Sequence, residues 1–272
     1  MTAINANHIR KVILDMAYTG ATVHIGCAFS IVELLVVLYR NHLQFDAANP
    51  SSLTRDYMVL SKGHGVMAQY ACLHELGCLT EDDMAKYFKD GTRLKGLADA
   101  HVPGVEATTG SLGHGLSVAS GLALAAKLNN TSQTCYALVG DGEINEGSIW
   151  EAALFAAHFK LDNLVVIVDK NGFQAMGATD DVMGLGNIEE KFRAFGFDSI
   201  TIDGHDEEAI DAAYMSLKAV RNGKPKAIVA TTVKGKGVSF MEHNNIWHYT
   251  RLSSETHAVA LAELAAKQEA TV

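Results

Sequence analysis

The sequence predicts an α/β fold with a mostly parallel central sheet and helices on both faces. Three observations predict it. Short apolar runs rich in valine, isoleucine and leucine alternate with longer segments that have helical spacing. The clearest unit is strand, helix, strand over 135–139, 147–159 and 164–168, which is typical of a parallel crossover. Glycine-rich and polar segments follow the strands, where sheets of this class bind ligands.

The elements follow one another along the whole chain. Strands are predicted where apolar runs stop abruptly at glycine or polar residues, at 57–60, 135–139, 164–168, 199–202 and 227–231. Helices are predicted where apolar residues recur every three or four positions, as Ile9, Val12, Ile13 and Met16 do. These helices cover 5–19, 29–41, 66–76, 114–128, 147–159, 188–195, 206–221 and 255–268.

Composition sets the broad class. An apolar fraction of 48% against a charged fraction of 19% argues against disorder, and three prolines leave no evident linker. We therefore expect a single domain over 1–272. The net charge of −9, without a basic cluster, argues against nucleic-acid binding. No apolar run approaches membrane-spanning length and the N-terminus has no signal pattern, so we expect a cytoplasmic protein with no membrane partner.

A metal site is predicted where two neighbouring strands end. Gly140-Asp141-Gly142 follows one strand, and Asn171 follows the next, thirty residues after Asp141. The crossover should return Asn171 beside Asp141. Carboxylate and amide oxygens suit Mg²⁺, with Ca²⁺ or Mn²⁺ as substitutes, and the glycines allow phosphates to approach the backbone. A turn with a capping Asp and an Asx-type Asn explains the same residues.

The stretch around this site closely resembles the thiamine diphosphate motif of transketolases, which is Gly-Asp-Gly, about thirty residues, then Asn. The agreement extends beyond the motif and reads GDGEINEGSIWEAALFAAHFKLDNLVVIVDKNGFQ over 140–174. Nearly the whole chain is similar to the N-terminal, cofactor-binding half of that family. The resemblance implies the thiamine diphosphate-binding fold, in its diphosphate-binding domain.

The resemblance also implies a set of cofactor contacts. Asp141 and Asn171 would hold Mg²⁺ together with the backbone carbonyl of Phe173. The remaining cofactor-binding residues implied are Lys62, His64, Gly110, Ser111, Leu112, Gly140, Gly142, Glu146, Lys234 and His248. From the residues alone, Lys234 could equally be a solvated lysine, although a lysine beside a diphosphate supplies a point charge.

The catalytic residues implied are His24, His64, His248 and Glu146. Histidine can donate, accept and titrate near neutral pH, as proton movements on a sugar require. Without the resemblance, His24 could belong to a turn and His248 to the surface. Glu146 matches a glutamate that communicates with the other active site of a dimer, but it could simply be a charge at a helix N-terminus.

Several positions depart from the family pattern. Leu97 stands where transketolases usually carry a histidine that helps bind the donor sugar, and His101 could reach the same space from a shifted loop. A leucine cannot hydrogen-bond a hydroxyl, so the donor is expected to differ from an ordinary ketose phosphate. Tyr249 replaces a glycine, His114 replaces a glutamine, and the run after Phe173 also differs.

The implied reaction is transfer of a two-carbon ketol unit from a ketose to an aldose. In this family the glutamate that activates the cofactor comes from a different domain on the opposite subunit. We expect a C-terminal transketolase subunit to supply that pyrimidine-binding domain, in a heterotetramer of two copies of each chain.

Two other functions stay open at this stage. The metal motif also occurs in the α subunit of 2-oxo acid dehydrogenases. His24, His64 and the Lys234 segment favour transketolase. A non-catalytic cofactor-binding subunit would explain Leu97 and Tyr249, although the retained metal ligands and histidines argue against it.

Overall fold

A computed structural model describes residues 4–269. Its seven strands are β1 (Tyr57–Leu60), β2 (Cys135–Gly140), β3 (Leu164–Lys170), β4 (Phe173–Gln174), β5 (Gly177–Ala178), β6 (Asp198–Asp203) and β7 (Lys226–Thr231). Five of them form one sheet in the order β1-β2-β3-β7-β6, and every pair in it is parallel. The predicted α/β class with a parallel sheet is therefore confirmed, and each predicted strand is present.

The register aligns the strand ends at one edge of the sheet. Gly140 pairs with Asp169, and Asp169 pairs with Ala230 on the other side. Because these strands are parallel, the residues that follow them emerge at the same edge. Asp141 and Asn171 are thus brought to neighbouring positions by the sheet itself.

Helices cover both faces of the sheet. They are α1 (Ala6–Thr19), α2 (Ile25–Phe29), α3 (Val32–Val37), α4 (Val66–Glu75), α5 (Glu81–Ala85), α6 (Gly115–Leu128), α7 (Gly147–His158), α8 (Thr179–Met183), α9 (Ile188–Ala194), α10 (Glu207–Ala219) and α11 (Ser254–Glu269). Along β3, Val165 and Ile167 join the core under α1, α3 and α10, while Val166 and Val168 join the core under α6, α7 and α9. A strand buried on both faces explains the continuous apolar runs.

One predicted helix is broken. The pattern over 29–41 predicts a single helix, but α2 ends at Phe29, α3 starts at Val32, and Leu38–His42 forms a π-helical turn. At the break the Ser30 hydroxyl donates to Asp169 on β3, 2.7 Å away. Apolar spacing gives no sign of this polar contact. Within residues 4–269, no helix combines the length and apolarity needed to cross a bilayer.

Candidate active site

The predicted site residues meet at the carboxyl edge of the sheet. A cavity of about 470 Å³ lies there, and every predicted catalytic, cofactor-binding or metal residue lines it except Ser111, which is exposed. We call it the strand-end cavity. Its walls also include residues that were not predicted as site residues, namely Cys27, Glu143, Asn145, Gln174, Ala175, Met176, Val182 and Met183.

The two predicted metal ligands are held by the turns that follow β2 and β3. The Asp141 carboxylate accepts from the backbone N–H of Gly142 at 2.8 Å and from that of Gly172 at 2.7 Å. The second bond joins the two strand ends directly. Burial, reinforced by the nearby Asp169 carboxylate, raises the pKa of Asp141 to about 6. A buried carboxylate beside another carboxylate is an environment that a cation would stabilise.

Asp169 is the central residue that sequence reasoning missed. It is fully buried and accepts from Ser30 at 2.7 Å, Lys62 Nζ at 2.5 Å, Asn171 Nδ2 at 2.8 Å and the Thr232 hydroxyl. Burial opposes its charge, but Lys62 outweighs that effect and lowers the pKa of Asp169. Because the amide nitrogen of Asn171 donates to Asp169, the other terminal atom of this side chain is its oxygen, which is left as the acceptor.

Lys62 is therefore a paired charge rather than a free one. Its Nζ also donates to the carbonyl of Cys27 at 3.0 Å, and its side chain is buried. Burial alone would lower the pKa of Lys62, but the Asp169 carboxylate overrides it and raises that pKa. The pair ties the segment after β1 to β3 underneath the cavity.

The donor chemistry and the space both fit a cation-bound diphosphate. Asp141 and Asn171 present hard oxygens, and the backbone of Phe173 lies beside them, with its N–H donating to Asn171 Oδ1 at 3.0 Å. A Cβ built on Gly142 would come within 2.7 Å of Gln174, so only glycine fits that wall. The buried Nε2 of Gln174 has no hydrogen-bond partner among residues 4–269, which leaves a donor at the cavity wall.

Glu143 fixes the glycine-rich loop that the sequence placed against the cofactor. This buried carboxylate accepts from the Ser61 hydroxyl, from Gly113 N–H at 2.9 Å and from Gly140 N–H at 3.0 Å. It thereby links the loop over 110–115 to the ends of β1 and β2. Burial raises the pKa of Glu143. Its position two residues after Asp141 is the sequence signal that could have identified it.

The three predicted catalytic histidines form a triangle. Ring centroids are 5.2 Å apart for His24 and His64, 5.5 Å for His24 and His248, and 5.7 Å for His64 and His248. Burial, with lysines nearby, lowers the pKa of all three, to about 3 for His248 and well below the usual range for His64. All three rings are consequently neutral near pH 7 and able to donate or accept a proton.

Lys234 closes one side of this triangle. Its Nζ contacts His248 Nδ1 at 2.8 Å and donates to Asn245 Oδ1 at 2.9 Å, although the side chain is only 1% exposed. Burial, assisted by Lys62, lowers the pKa of Lys234 to about 8. Because His248 accepts at Nδ1, its ring proton sits on Nε2, which remains a donor.

The departures from the family pattern lie in different places. His101 is turned outward, with its Nδ1 2.7 Å from Asp99, and its side chain is 89% exposed. It therefore does not take the place of the missing histidine at Leu97. Tyr249 lies beside His24, with ring centroids 5.5 Å apart. His114 is exposed and contacts the carbonyl of Leu112 at 3.1 Å, away from the cavity.

Comparison with known proteins gives one consistent result. Residues 2–269 match the family described as "Transketolase, thiamine diphosphate binding domain". The chain is 41% identical over 256 residues to one of the subunits of the apulose-4-phosphate transketolase of Actinobacillus succinogenes, covering 94% of this chain and 92% of that protein. It is 40% identical over 260 residues to "6-deoxy-6-sulfo-D-fructose transketolase subunit SqwG" of Clostridium sp. strain MSTE9, covering 95% and 94%.

Solved structures agree with the sequence matches. The transketolase of Campylobacter jejuni superposes with a TM-score of 0.90 at 32% identity over 96% of this chain. That of Leishmania mexicana gives 0.84 at 31% identity over 97%. The chain spans 42% and 45% of the lengths of these two proteins, so it corresponds to less than half of each.

Proposed function

Because the chain belongs to the thiamine diphosphate-binding family of transketolases, we propose that it is the cofactor-binding subunit of a two-chain transketolase. The enzyme would transfer a two-carbon ketol unit from a ketose to an aldose. The observation that carries the proposal is the convergence of Asp141, Asn171 and three neutral histidines on one cavity. A metal-held anion would thereby lie beside groups able to transfer protons.

Thiamine diphosphate would be held through its charged tail. Asp141, Asn171 and the backbone carbonyl of Phe173 would hold Mg²⁺, whose charge would stabilise the diphosphate, and Gly142 would let the phosphates approach. Lys234 would supply a further positive charge. When bound, the cofactor supplies the electron sink for carbon–carbon bond cleavage.

The chain's own contribution to the chemistry would be proton handling and orientation. Neutral His24, His64 and His248 would bind the hydroxyls of the sugar, and His248 would do so as a donor from Nε2, because its Nδ1 accepts from Lys234. Lys234 favours this neutral form, since its charge disfavours a second positive charge on His248. Glu146, at the start of α7, borders the same cavity, so a contact there with a second copy would connect two sites.

A partner subunit is part of the proposal. The relatives from Actinobacillus succinogenes and Clostridium sp. are named as subunits of a transketolase. In the family, the activating glutamate comes from another domain. We propose that a C-terminal subunit with the pyrimidine-binding domain completes the site. The whole chain, 1–272, would form one diphosphate-binding domain, and we place the enzyme in the cytoplasm, where its four free cysteines would stay reduced.

An exposed apolar face supports self-association within a heterotetramer. On α7, Leu154 is 59% and Phe155 is 37% exposed, and neighbouring Phe159 is 41% exposed. On the adjacent α6, Val118 and Leu128 are 41% and 72% exposed. Exposed apolar side chains on two helices that contact each other are typical of a protein interface. We propose that two copies of this chain meet on the α6–α7 face, which begins next to Glu146.

Reconstitution tests the proposed function. The chain and a candidate C-terminal subunit are purified separately and mixed with thiamine diphosphate, Mg²⁺, a ketose and an aldose. We expect ketol transfer only from the mixture, and loss of transfer when the chain carries His64→Ala. Turnover by the chain alone would refute the split enzyme. Cofactor binding without transfer of any tested sugar would instead favour a non-catalytic subunit.

A further inference from the structure

The backbone around Lys234, which follows β7, is held by hydrogen bonds from its amide groups. On either side of the lysine, the N–H groups of Thr232 and Gly235 donate to backbone carbonyls, each at 3.0 Å. The N–H of Val233 donates instead to a side chain, at a distance of 2.8 Å from Nε2 of His205. His205 does not line the strand-end cavity, yet it holds the peptide next to a residue that does.

A close approach of two turns brings His205 to this position. His205 follows β6, and the N–H of the preceding Gly204 donates to the carbonyl of Thr231, at the end of β7, at 2.8 Å. A Cβ built on Gly204 would clash with Cγ2 of Thr232, so only glycine lets the turn after β6 lie this close to β7. The contact between His205 and the backbone beside Lys234 is thus built into the packing of the two strand ends.

The partners of the two ring nitrogens select one tautomer of His205. Nδ1 lies 3.0 Å from Oε2 of Glu33, which is buried. Burial opposes the charge of this carboxyl, but Arg10 and the hydrogen bond from His205 outweigh it and lower the pKa of Glu33 to about 2. Because an ionised carboxylate only accepts, Nδ1 of His205 carries the proton. Nε2 is thereby left as the acceptor for the N–H of Val233.

Arg10 completes this buried chain of contacts. Its two terminal nitrogens each lie 2.7 Å from one oxygen of Glu33, and Nη2 also donates to the carbonyl of Phe29 at 3.2 Å. Arg10 and Glu33 are 5% and 7% exposed. Replacing such a buried pair by apolar residues is often neutral for stability. The pair does, however, fix the acceptor of His205 Nδ1, and so connects α1 and α3 to the backbone beside Lys234.

We infer that His205 is a positioning residue for the cofactor, because by holding the Val233 amide it directs the Lys234 ammonium into the strand-end cavity. Lys234 is only 1% exposed, and its Nζ contacts two neighbouring side chains at 2.8 and 2.9 Å, so a shift of its backbone would break both contacts. Glu33 and Arg10 act one step further away, by keeping Nε2 of His205 an acceptor. The inference rests on the proposed function, in which Lys234 faces the diphosphate.

Two substitutions of His205 separate its two hydrogen bonds. Glutamine places Oε1 near the position of Nε2 and can still accept from the Val233 N–H, whereas asparagine places Nδ2 near the position of Nδ1 and reaches only Glu33. Thiamine diphosphate with Mg²⁺ is titrated calorimetrically into the assembled two-chain enzyme. We expect His205→Asn to weaken cofactor binding about tenfold and His205→Gln to stay within about twofold of the wild type.

The effect on binding should disappear when Lys234 is absent. In the Lys234→Met background, His205→Asn should cause no further loss of affinity, since the side chain that it positions is gone. Hydrogen exchange in the peptide that contains Val233, followed by mass spectrometry, gives a readout that needs no cofactor. The Val233 amide should exchange slowly in the wild type and in His205→Gln, and faster in His205→Asn.

His42→Asn is the matched control. The side chains of His42 and His205 are 8% and 11% exposed, and His42 likewise pairs with a carboxylate, that of Asp211 on α10, at 2.8 Å. Cofactor affinity should be unchanged in His42→Asn.

Equal losses of affinity in His205→Asn and His205→Gln, no loss in His205→Asn, or an equal loss in the Lys234→Met background would overturn the inference. Fast exchange of the Val233 amide in the wild-type enzyme would also overturn it, without any substitution. A wild-type enzyme that shows this protection but binds no thiamine diphosphate would instead overturn the proposed function.

Discussion

We predict that the pKa of Lys234 makes cofactor affinity depend on pH in a defined window. Its side chain is buried, its pKa lies at about 8, and its proposed role is to face an anionic diphosphate. The bound anion favours the protonated lysine, so binding above pH 8 requires uptake of a proton. About nine-tenths of the free lysine is charged at pH 7 and about one-tenth at pH 9. Apparent affinity should therefore fall about tenfold between those pH values.

Isothermal titration of thiamine diphosphate with Mg²⁺ into the assembled enzyme, at pH 7, 8 and 9, measures this effect. Lys234→Met should bind more weakly at pH 7 but show no comparable decline towards pH 9. Lys236→Met, two positions away and outside the strand-end cavity, should keep the wild-type decline. An affinity that stays constant for the wild type, or declines equally in Lys234→Met, would refute the role given to this lysine.

Three further predictions concern the structure around the site. Asp169→Asn should lower the free energy of unfolding by about 3–5 kcal/mol, because it leaves Lys62 buried without its counter-charge. Adding Lys62→Met should recover much of that loss, and denaturant titrations measure both effects. Gly113→Ala should lower the free energy of unfolding by about 1–3 kcal/mol in the same assay, because the φ of Gly113 is 84° and the new Cβ would clash with Ser148 Oγ. An unchanged unfolding midpoint would contradict the loop geometry. Leu154→Glu should weaken self-association in sedimentation experiments without changing the unfolding midpoint, whereas Met215→Glu on α10 should leave both unchanged.

The sheet could be predicted because its signal is local. A strand covered on both faces needs a continuous apolar run, and 164–168 supplies one that ends at polar residues. The break near Ser30 could not be predicted, because Ser30 is held there by a hydrogen bond to Asp169, 139 positions away. The β4–β5 hairpin has only two residues in each strand, too few for any periodicity to appear.

In the site, too, some residues could be predicted from the sequence and others could not. Asp141 and Asn171 could be predicted, since their spacing equals one crossover and the sheet register then aligns them. The contacts that hold these two side chains in place could not be predicted. The partners of Asp169 come from four segments, and a single carboxylate at the end of β3 gives no indication of which donors will reach it.

The central claim is that Asp141 and Asn171 bind one divalent cation and thereby hold the diphosphate. Calorimetric titration of thiamine diphosphate into the assembled enzyme, with Mg²⁺ or with a chelator, tests it most directly. We expect binding by the wild type only when Mg²⁺ is present, and no Mg²⁺-dependent binding by Asp141→Ala. Equal affinity of the two proteins for the cofactor in Mg²⁺ would contradict the claim.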